Sequence, residues 1–243
     1  MSPERLDAVE LSVGRGVPFD RRYAVTHGAS DHDPANPRWL PRRNFLVLAR
    51  SPRLAALTCA CEPGTGRLAF GLPNRGTLSV GADDTDVGAR LEEVFSAHVS
   101  SGQRGPFGLA SLGEHGLTDS PLQGVSLMSS GSLAELERAL GERVDRRRFR
   151  GNVWFDGGPA WVERDWIGKT LRAGETRLEI VEEIERCAAI DAEPGTGARD
   201  LPLLSTLREH CGHVNFGVLA KVVTGGGIAV GDAVSIVGTR AGA

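Results

Sequence analysis

The chain of 243 residues contains few cysteines and aromatic residues and has no long apolar run. Its four cysteines, Cys59, Cys61, Cys187 and Cys211, are too few and too scattered for the disulfide framework of a small secreted domain. No run of about 18 apolar residues occurs, so no membrane-spanning helix is expected. The N-terminal segment MSPERLDAVELSVGRG lacks an apolar signal core, which predicts a cytoplasmic protein with reduced thiols.

An excess of charge of either sign is also lacking, because the formal net charge is only −3. This balance gives no reason to expect nucleic acid or a membrane surface as a partner. The chain has no P-loop, no GxSxG elbow and no GxGxxG dinucleotide pattern, so three common enzyme classes are not indicated. A content of 40% hydrophobic and 24% charged residues is ordinary for a globular protein of one large or two small domains.

Glycine is abundant, with 32 residues, and it separates short segments that alternate or are rich in β-branched residues. Many short strands joined by glycine turns favour a barrel or a sandwich over repeated β-α units. The predicted fold class is therefore mainly β, of β-barrel type, with a few peripheral helices. Strands are predicted over residues 22–26, 53–62, 66–72, 77–80, 125–129, 152–156, 176–184, 215–223 and 232–237.

Three segments have the periodicity of helices. Apolar residues at helical spacing predict a helix near 85–99. A second helix is predicted near 131–141, where Ser132 and Glu135 have the spacing of a capping box. A third is predicted near 202–211 and ends before Gly212. The polar stretch 27–44 is interpreted as a surface loop, with a mobile lid as the alternative.

The densest charge is the run RVDRRRFRGN at residues 143–152, which holds five arginines and one aspartate. Such a run is most simply a solvated turn. Phe149 interrupts it, however, and a predicted strand follows, so at least one arginine is expected near the protein body. Because the guanidinium group donates paired hydrogen bonds and stays charged, phosphate binding is the alternative interpretation.

Cys187 follows Arg186 at the end of the predicted strand 176–184. A thiol beside a cation ionises more readily, and the thiolate is the form that attacks electrophiles or binds metals. A single cysteine is also commonly a small core residue, and both interpretations stay open on the residues alone. Cys59 and Cys61 are predicted to share one face of a strand as hydrophobic residues, and His210-Cys211-x-His213 lacks the partner ligands of a zinc site.

Four segments in order, RFRGN, DGGPAWVERDWIG, RCAAIDAEPGTGARD and HVNFGVLAKVVTGGGIAVGD, resemble the MOSC domain. This family is related to the C-terminal part of molybdenum-cofactor sulfurases. VPFDRRYAV and the following PRW resemble the β-rich N-terminal module that usually precedes it. The resemblance implies an N-terminal module over residues 1–100, truncated at its start, and a MOSC domain over 101–243.

The resemblance also implies a molybdopterin-type molybdenum cofactor between the two modules. The cysteine of the family's RC motif, which ligates molybdenum in relatives, falls on Cys187. The family's RFRPN arginine and asparagine, which contact the pterin and its phosphate, fall on Arg150 and Asn152, with Gly151 in place of the proline. The further cofactor contacts implied are Arg21 of the DR pair and the serine loop Ser129, Ser130 and Ser132.

Taken together, these matches predict a molybdenum-dependent oxidoreductase that reduces N-hydroxylated or related small substrates. No flavin or iron–sulfur motif is visible, so a separate electron-transfer protein is expected as its partner. The family often has threonine three residues after the cysteine, where this chain has Ile190, and its DP becomes Glu193-Pro194. Two alternatives therefore stay open: a sulfur or cofactor carrier with a Cys187 persulfide, and a metal-free enzyme on the same fold.

Overall fold

A computed structural model describes residues 4–62 and 64–239 of the chain. By its contacts the chain divides into two compact units. The first unit contains Arg21–Pro121 and Ala188–Pro202, and the second contains Arg5–Asp20, Leu122–Cys187 and residues 203–239. The predicted boundary at residue 100 concerns the two modules of the family and stays a prediction.

The described residues form mostly strands, with three α-helices and several short 3-10 turns. The strands are β1 Ala8–Leu11, β2 Tyr23–Thr26, β3 Thr58–Cys61, β4 Leu68–Leu72, β5 Gly76–Val80, β6 Gly108–Ser111, β7 Val125–Ser129, β8 Val153–Phe155, β9 Lys169–Ala173, β10 Thr176–Glu185, β11 Asn215–Thr224, β12 Gly226–Ala229 and β13 Val234–Thr239. The helices are α1 Val87–Phe95, α2 Ser130–Leu140 and α3 Leu203–Cys211. Within the described part of the chain, none of them is long and apolar enough to cross a membrane.

The second unit is built on a six-stranded sheet in the order β13-β9-β10-β11-β7-β8. All neighbouring strands are antiparallel except β7 and β8, which run parallel. A parallel pair needs a crossover between its strands, and α2 lies in this connection. Strand β10 shifts register three times against β11, and such bulges increase the bend and twist of a sheet. The sheet is therefore curled and barrel-like rather than flat.

The core of the second unit lies on one face of this sheet. In β10, Thr176, Leu178 and Ile180 alternate as buried residues with more exposed neighbours, as expected for a strand with one face in the core. All five residues of β7 are buried, because this strand lies inside the sheet and under its crossover helix. The separate ribbon β1–β12 contributes the buried Leu11 to the same core.

The first unit contains two smaller sheets, β2–β6 and β3–β4–β5. Helix α1 packs its buried Leu91, Val94 and Phe95 into a core shared with the three-stranded sheet. Phe95 meets Phe70 of β4 and Phe107 edge-on, with ring centroids 5.4 and 6.0 Å apart. A bidentate pair between Arg67 and Asp84, at 2.9 and 3.0 Å, joins the start of β4 to the loop before α1.

The mainly β fold and all three predicted helices are confirmed. The predicted strand over 53–62 is wrong in its first half, because Pro52–Ala56 form a 3-10 helix and the strand begins at Thr58. Proline at the first helical position favours this turn over extended backbone. The predicted capping box is also wrong: the N-cap of α2 is Ser129, whose Oγ accepts the backbone N–H of Ser132. Cys59 and Cys61 share the less exposed face of β3 as predicted.

Candidate functional site

Cys187 directly follows the end of β10, and its neighbour Arg186 fixes this strand end in the second unit. The Arg186 backbone N–H donates to the carbonyl oxygen of Val214 at 2.9 Å. Its guanidinium Nε donates to Phe216 O at 2.9 Å, and Nη1 donates to Phe149 O at 3.0 Å. One side chain thus joins β10, β11 and the RFRGN turn. Cys187 itself is half-buried and carries a free thiol.

The RFRGN turn begins with the 3-10 helix Arg146–Phe149 and ends at Arg150. Phe149 anchors this turn, because its buried ring stacks on Phe216 with centroids 4.0 Å apart. Arg150 then takes the left-handed conformation, with φ 52° and ψ 38°, and its side chain is half-buried. The Arg186–Phe149 bond therefore links the residue before Cys187 to the residue before Arg150, two positions that lie 37 apart in sequence.

Gly151, which replaces the proline of the family motif, packs directly against Met128. A Cβ atom at this position would lie 2.3 Å from Met128 Cγ, far inside van der Waals contact. Met128 is fully buried on β7, and Gly217 approaches it from another side, with a Cβ position 2.3 Å from its sulfur. The large Met128 side chain fills the space that a ring at residue 151 would need. The departure from the family motif therefore has a packing cause.

Asn152, the predicted pterin contact, makes several hydrogen bonds within the protein. Its Oδ1 accepts from the backbone N–H and the hydroxyl of Ser126, at 2.9 and 2.8 Å. Its amide nitrogen donates to Asp20 Oδ2 at 2.9 Å. Asp20 belongs to the DR pair of the resemblance, so this bond joins two motifs that lie 132 residues apart. Sequence reasoning did not assign a role to either Ser126 or Asp20.

The three predicted serines occupy the first turn of α2 and differ in their surroundings. Ser129 is fully buried and caps the helix. Ser130 is half-buried, and its hydroxyl meets Asp156 Oδ1 at 2.5 Å and Arg146 Nη2 at 2.9 Å. Ser132 is fully buried and bonds to Glu163 and to the backbone of Trp161. Only Ser130 of the three is therefore accessible from solvent.

Glu163 is a buried carboxyl that the sequence did not single out. It lies in the 3-10 helix Val162–Trp166 with no exposed surface. The Ser132 hydroxyl lies 2.8 and 2.9 Å from its two carboxylate oxygens. Burial raises the pKa of Glu163, although its hydrogen bond to Ser132 opposes the change. Ser132 and Glu163 lie 31 residues apart in sequence, so no local spacing predicts their contact.

Several arginines of the run 143–152 already have acidic partners. Arg147 pairs with Asp145 at 2.6 Å, and Arg143 pairs with Glu137 at 3.0 Å. Arg146 lies 3.8 Å from Asp156 and over the ring of Trp154, at 5.1 Å from its centroid. These three arginines therefore form ion pairs at the surface of the second unit. Arg150 is the member that the resemblance assigns to the cofactor.

Arg21, the last predicted contact, belongs to the first unit. Its backbone is left-handed, with φ 51°, and its carbonyl oxygen accepts the N–H of Leu117 at 2.8 Å. The convergence of Arg21 with Arg150 on one phosphate stays a prediction. Ile190, which replaces a family threonine, is also in the first unit, where it is buried with 3% exposure.

The residues present suit a soft metal more than a hard one. Within the described residues, no group of three or more His, Cys, Asp or Glu side chains is placed to hold a metal ion. A metal at Cys187 would therefore take one thiolate from the protein and its other ligands from a cofactor. Thiolates bind soft transition metals preferentially. The hydrogen bonds of Arg186 hold the backbone next to Cys187 in place, and so fix the position from which the Cys187 side chain extends. The donor at this position fits a molybdenum cofactor.

Comparisons with known proteins place this architecture in context. Residues 114–235, half of the chain, match the family description "MOSC domain". No curated protein sequence matches the chain. The YiiM proteins from Geobacillus stearothermophilus and Escherichia coli are 19% and 18% identical, each with a TM-score of 0.37. The YUAD protein from Bacillus subtilis is 11% identical with a TM-score of 0.44, over 98% of this chain and 88% of that one.

The YiiM matches cover 46% and 49% of this chain and 53% and 56% of theirs, so the chain spans about half the length of those proteins. The structure defines this class of protein as a mainly β domain with a curled sheet. A cysteine follows the end of one strand, and the arginine before it donates a hydrogen bond to the RFRGN turn. The chain belongs to the MOSC domain family. In related proteins this family binds the molybdenum cofactor.

Proposed function

We propose that the protein binds a molybdopterin-type molybdenum cofactor, with the Cys187 thiolate as the protein ligand of the metal. The observation that carries this proposal is the pair of hydrogen bonds from the Arg186 guanidinium to Phe216 O and Phe149 O, which we call the Arg186 clamp. It joins the strand end before Cys187 to the turn before Arg150. In the family motif these two positions serve the two ends of one cofactor. The clamp supports a common site, because it links them through a single guanidinium group.

Each residue of the site would have a distinct task. Cys187 would hold the metal through a soft donor, and Arg150 and Arg21 would bind the cofactor phosphate through charge-assisted hydrogen bonds. The serine loop at the start of α2 would contribute through Ser130, whose hydroxyl is the accessible one. Asn152 would hold the turn in place through Ser126 and Asp20 while its neighbours contact the pterin.

The reaction that we propose is the reduction of small N-hydroxylated substrates. The bound cofactor supplies the two-electron redox chemistry. The N–O bond of the substrate breaks as two electrons and two protons enter, and the products are the reduced nitrogen compound and water. The electrons come from a separate electron-transfer protein, because no flavin or iron–sulfur motif is visible in the sequence.

The experiment that tests this function is a determination of metal and pterin in the purified protein, followed by a reduction assay. We expect equal molar amounts of molybdenum and of pterin, the latter measured by its fluorescence. We also expect the protein to reduce an N-hydroxylated amidine with a chemical electron donor. A persulfide on Cys187 in the intact mass, without metal, would instead identify a sulfur carrier. If neither metal nor persulfide is found, the proposal is contradicted and the metal-free enzyme is the alternative that remains.

A further inference from the structure

A separate cleft in the second unit lies against the loop 159–161 and the 3-10 helix Val162–Trp166. Its volume is about 370 Å³, within the range of small-molecule sites. The side chains that matter for its chemistry are those of Trp161, Arg164, Asp165 and Glu183. The cleft is therefore made by the DGGPAWVERDWIG segment and by strand β10, and none of its lining residues is a predicted cofactor contact.

Trp161 is held in this cleft in an unfavourable backbone conformation. Its φ is 67° and its ψ is 10°, a region that bulky residues rarely adopt. Buried groups enforce it: the Trp161 N–H donates to Ser132 Oγ at 2.8 Å, and the Ser132 hydroxyl bonds to Glu163. Glycine would satisfy this turn without strain, so the backbone does not need a tryptophan here. Non-glycine residues held in this way are concentrated at ligand and active sites.

The indole ring is also positioned from the side. Phe216 and His213 meet it nearly perpendicularly, at 88° and 86°, with centroids 5.9 and 5.3 Å away. The ring is half-buried and lines the cleft. A rigid aromatic surface of this kind provides a stacking platform for a planar ligand at a low cost in entropy.

The charges around the cleft favour a cation. Arg164 Nε donates to Glu183 Oε1 at 3.0 Å, and the Asn215 side chain also donates to Glu183, so this ion pair is internally balanced. Asp165 is exposed, also lines the cleft and adds one further negative charge. His213 accepts the backbone N–H of Asn215 on Nδ1, and burial and Arg164 lower its pKa, so it adds no opposing charge at neutral pH.

We infer that this cleft binds a small planar cation, such as an amidinium or guanidinium group on a ring, stacked on Trp161 and paired with Asp165. Tryptophan is the strongest aromatic partner of a cation, and a carboxylate beside it orients the N–H groups of the ligand. An amidinium is also the product of the reduction proposed for the molybdenum site, but this inference is carried by residues of the cleft and by those directly behind it, and it is tested without a bound cofactor.

The test uses three ring compounds of nearly equal shape and different charge: benzamidine (positive), benzamide (neutral) and benzoate (negative). Each is titrated into the full-length protein and followed by calorimetry and tryptophan fluorescence. We expect benzamidine to saturate one site and to bind at least about tenfold more tightly than the other two. Benzoate binding as tightly as benzamidine, or no saturation by benzamidine at millimolar concentration, would overturn the inference.

Matched variants locate the site. Trp161→Gly keeps the left-handed turn and removes the indole, and we expect benzamidine affinity to fall about tenfold or more. Trp166→Phe is the control, since Trp166 ends the 3-10 helix that follows Trp161 but packs on Phe155, and the affinity of this variant should equal that of the unaltered protein. Asp165→Asn, at an exposed position, should weaken benzamidine by about two- to fivefold and leave benzamide unchanged. Unchanged affinity in Trp161→Gly would show that benzamidine binds elsewhere and contradict the assignment.

Discussion

The two ends of the predicted cofactor site in the second unit are built in different ways. At the cysteine end, the structural bonds are made by Arg186, and the neighbouring Cys187 keeps a half-buried free thiol. At the serine end, the predicted contacts make the structural bonds themselves. Ser129 caps α2, Ser132 bonds to Glu163, and the Asn152 amide bonds to Ser126 and Asp20.

This difference shows that a functional motif contains residues with separate tasks. A residue that supports the site has its polar atoms satisfied inside the protein, whereas a ligand-binding residue keeps an atom that faces outward. Substitution distinguishes the two: loss of a support lowers the stability of the fold, and loss of a ligand lowers binding with the fold intact. The following variants test this distinction from the largest expected effect to the smallest.

The largest effect is expected for Arg186→Met. The substitution leaves the carbonyl oxygens of Phe149 and Phe216 without their charged donor, and each buried unsatisfied group costs about 1–3 kcal/mol. We expect the free energy of unfolding to fall by about 3 kcal/mol, measured by urea denaturation. Cys187→Ala is the matched control and should cost less than about 1 kcal/mol, because a half-buried thiol leaves little cavity. Equal losses in the two variants would remove the distinction between them.

Ser132→Ala is expected to have the next largest effect. It leaves the Trp161 N–H without its acceptor and removes the Ser132 hydrogen bond of the buried Glu163 carboxyl, at a cost of about 2 kcal/mol in unfolding free energy. Ser130→Ala, in the same helical turn but half-buried, should change stability by less than about 0.5 kcal/mol. Thermal melts of both variants make this comparison. A large loss in Ser130→Ala with none in Ser132→Ala would reverse the roles assigned to the two serines.

A smaller loss is expected for Gly151→Ala. The added methyl group meets the buried Met128 side chain, and because an unbranched methionine can adjust its rotamer, we expect a loss of about 1 kcal/mol, the lower end of the range for overpacking. If the clash is the cause, Met128→Ala combined with Gly151→Ala should be less destabilised than the sum of the single variants. Strict additivity in this double-mutant cycle would mean that Gly151 is needed for another reason.

The smallest effect is a pH dependence that comes from Glu163. Because burial raises its folded pKa above the ordinary value of 4.5, folding favours the protonated carboxyl. Stability therefore falls as the pH rises from the unfolded pKa through the folded one. Glu163→Gln removes this titration. The melting temperature of the variant minus that of the unaltered protein should therefore increase as the pH rises from 4 to 7. A difference that stays constant over this range would argue against a raised pKa.

Much of the fold could be predicted from local pattern. The alternation in residues 176–184 and the apolar spacing in 87–95 identified β10 and α1. Strands β1, β6, β9 and β12 were missed because each contains at most one β-branched or aromatic residue, and β12 is also half glycine, so the local signal for a strand is weak. Their pairing comes from partners distant in sequence, as with β1 and β12.

The candidate site was predictable only where a motif marked it. Arg186-Cys187 and RFRGN were visible as motifs, but the bond between them joins residues 37 apart and has no local signal. The same holds for the Asn152–Asp20 bond, which spans 132 residues. The strained conformation of Trp161 depends on Ser132, in a different element. Tertiary contacts of this kind decide which motif residues support the site, and single-sequence patterns do not contain them.

The most direct test of the central claim compares two half-buried cysteines of the second unit, Cys187 and Cys211. Molybdenum and pterin per chain are measured in Cys187→Ser and Cys211→Ser, purified in parallel with the unaltered protein. Serine nearly keeps the shape and removes the soft donor. We predict that Cys187→Ser loses the metal but still unfolds in a single cooperative transition, and that Cys211→Ser retains the metal in full. Equal molybdenum in all three proteins would contradict Cys187 as the ligand.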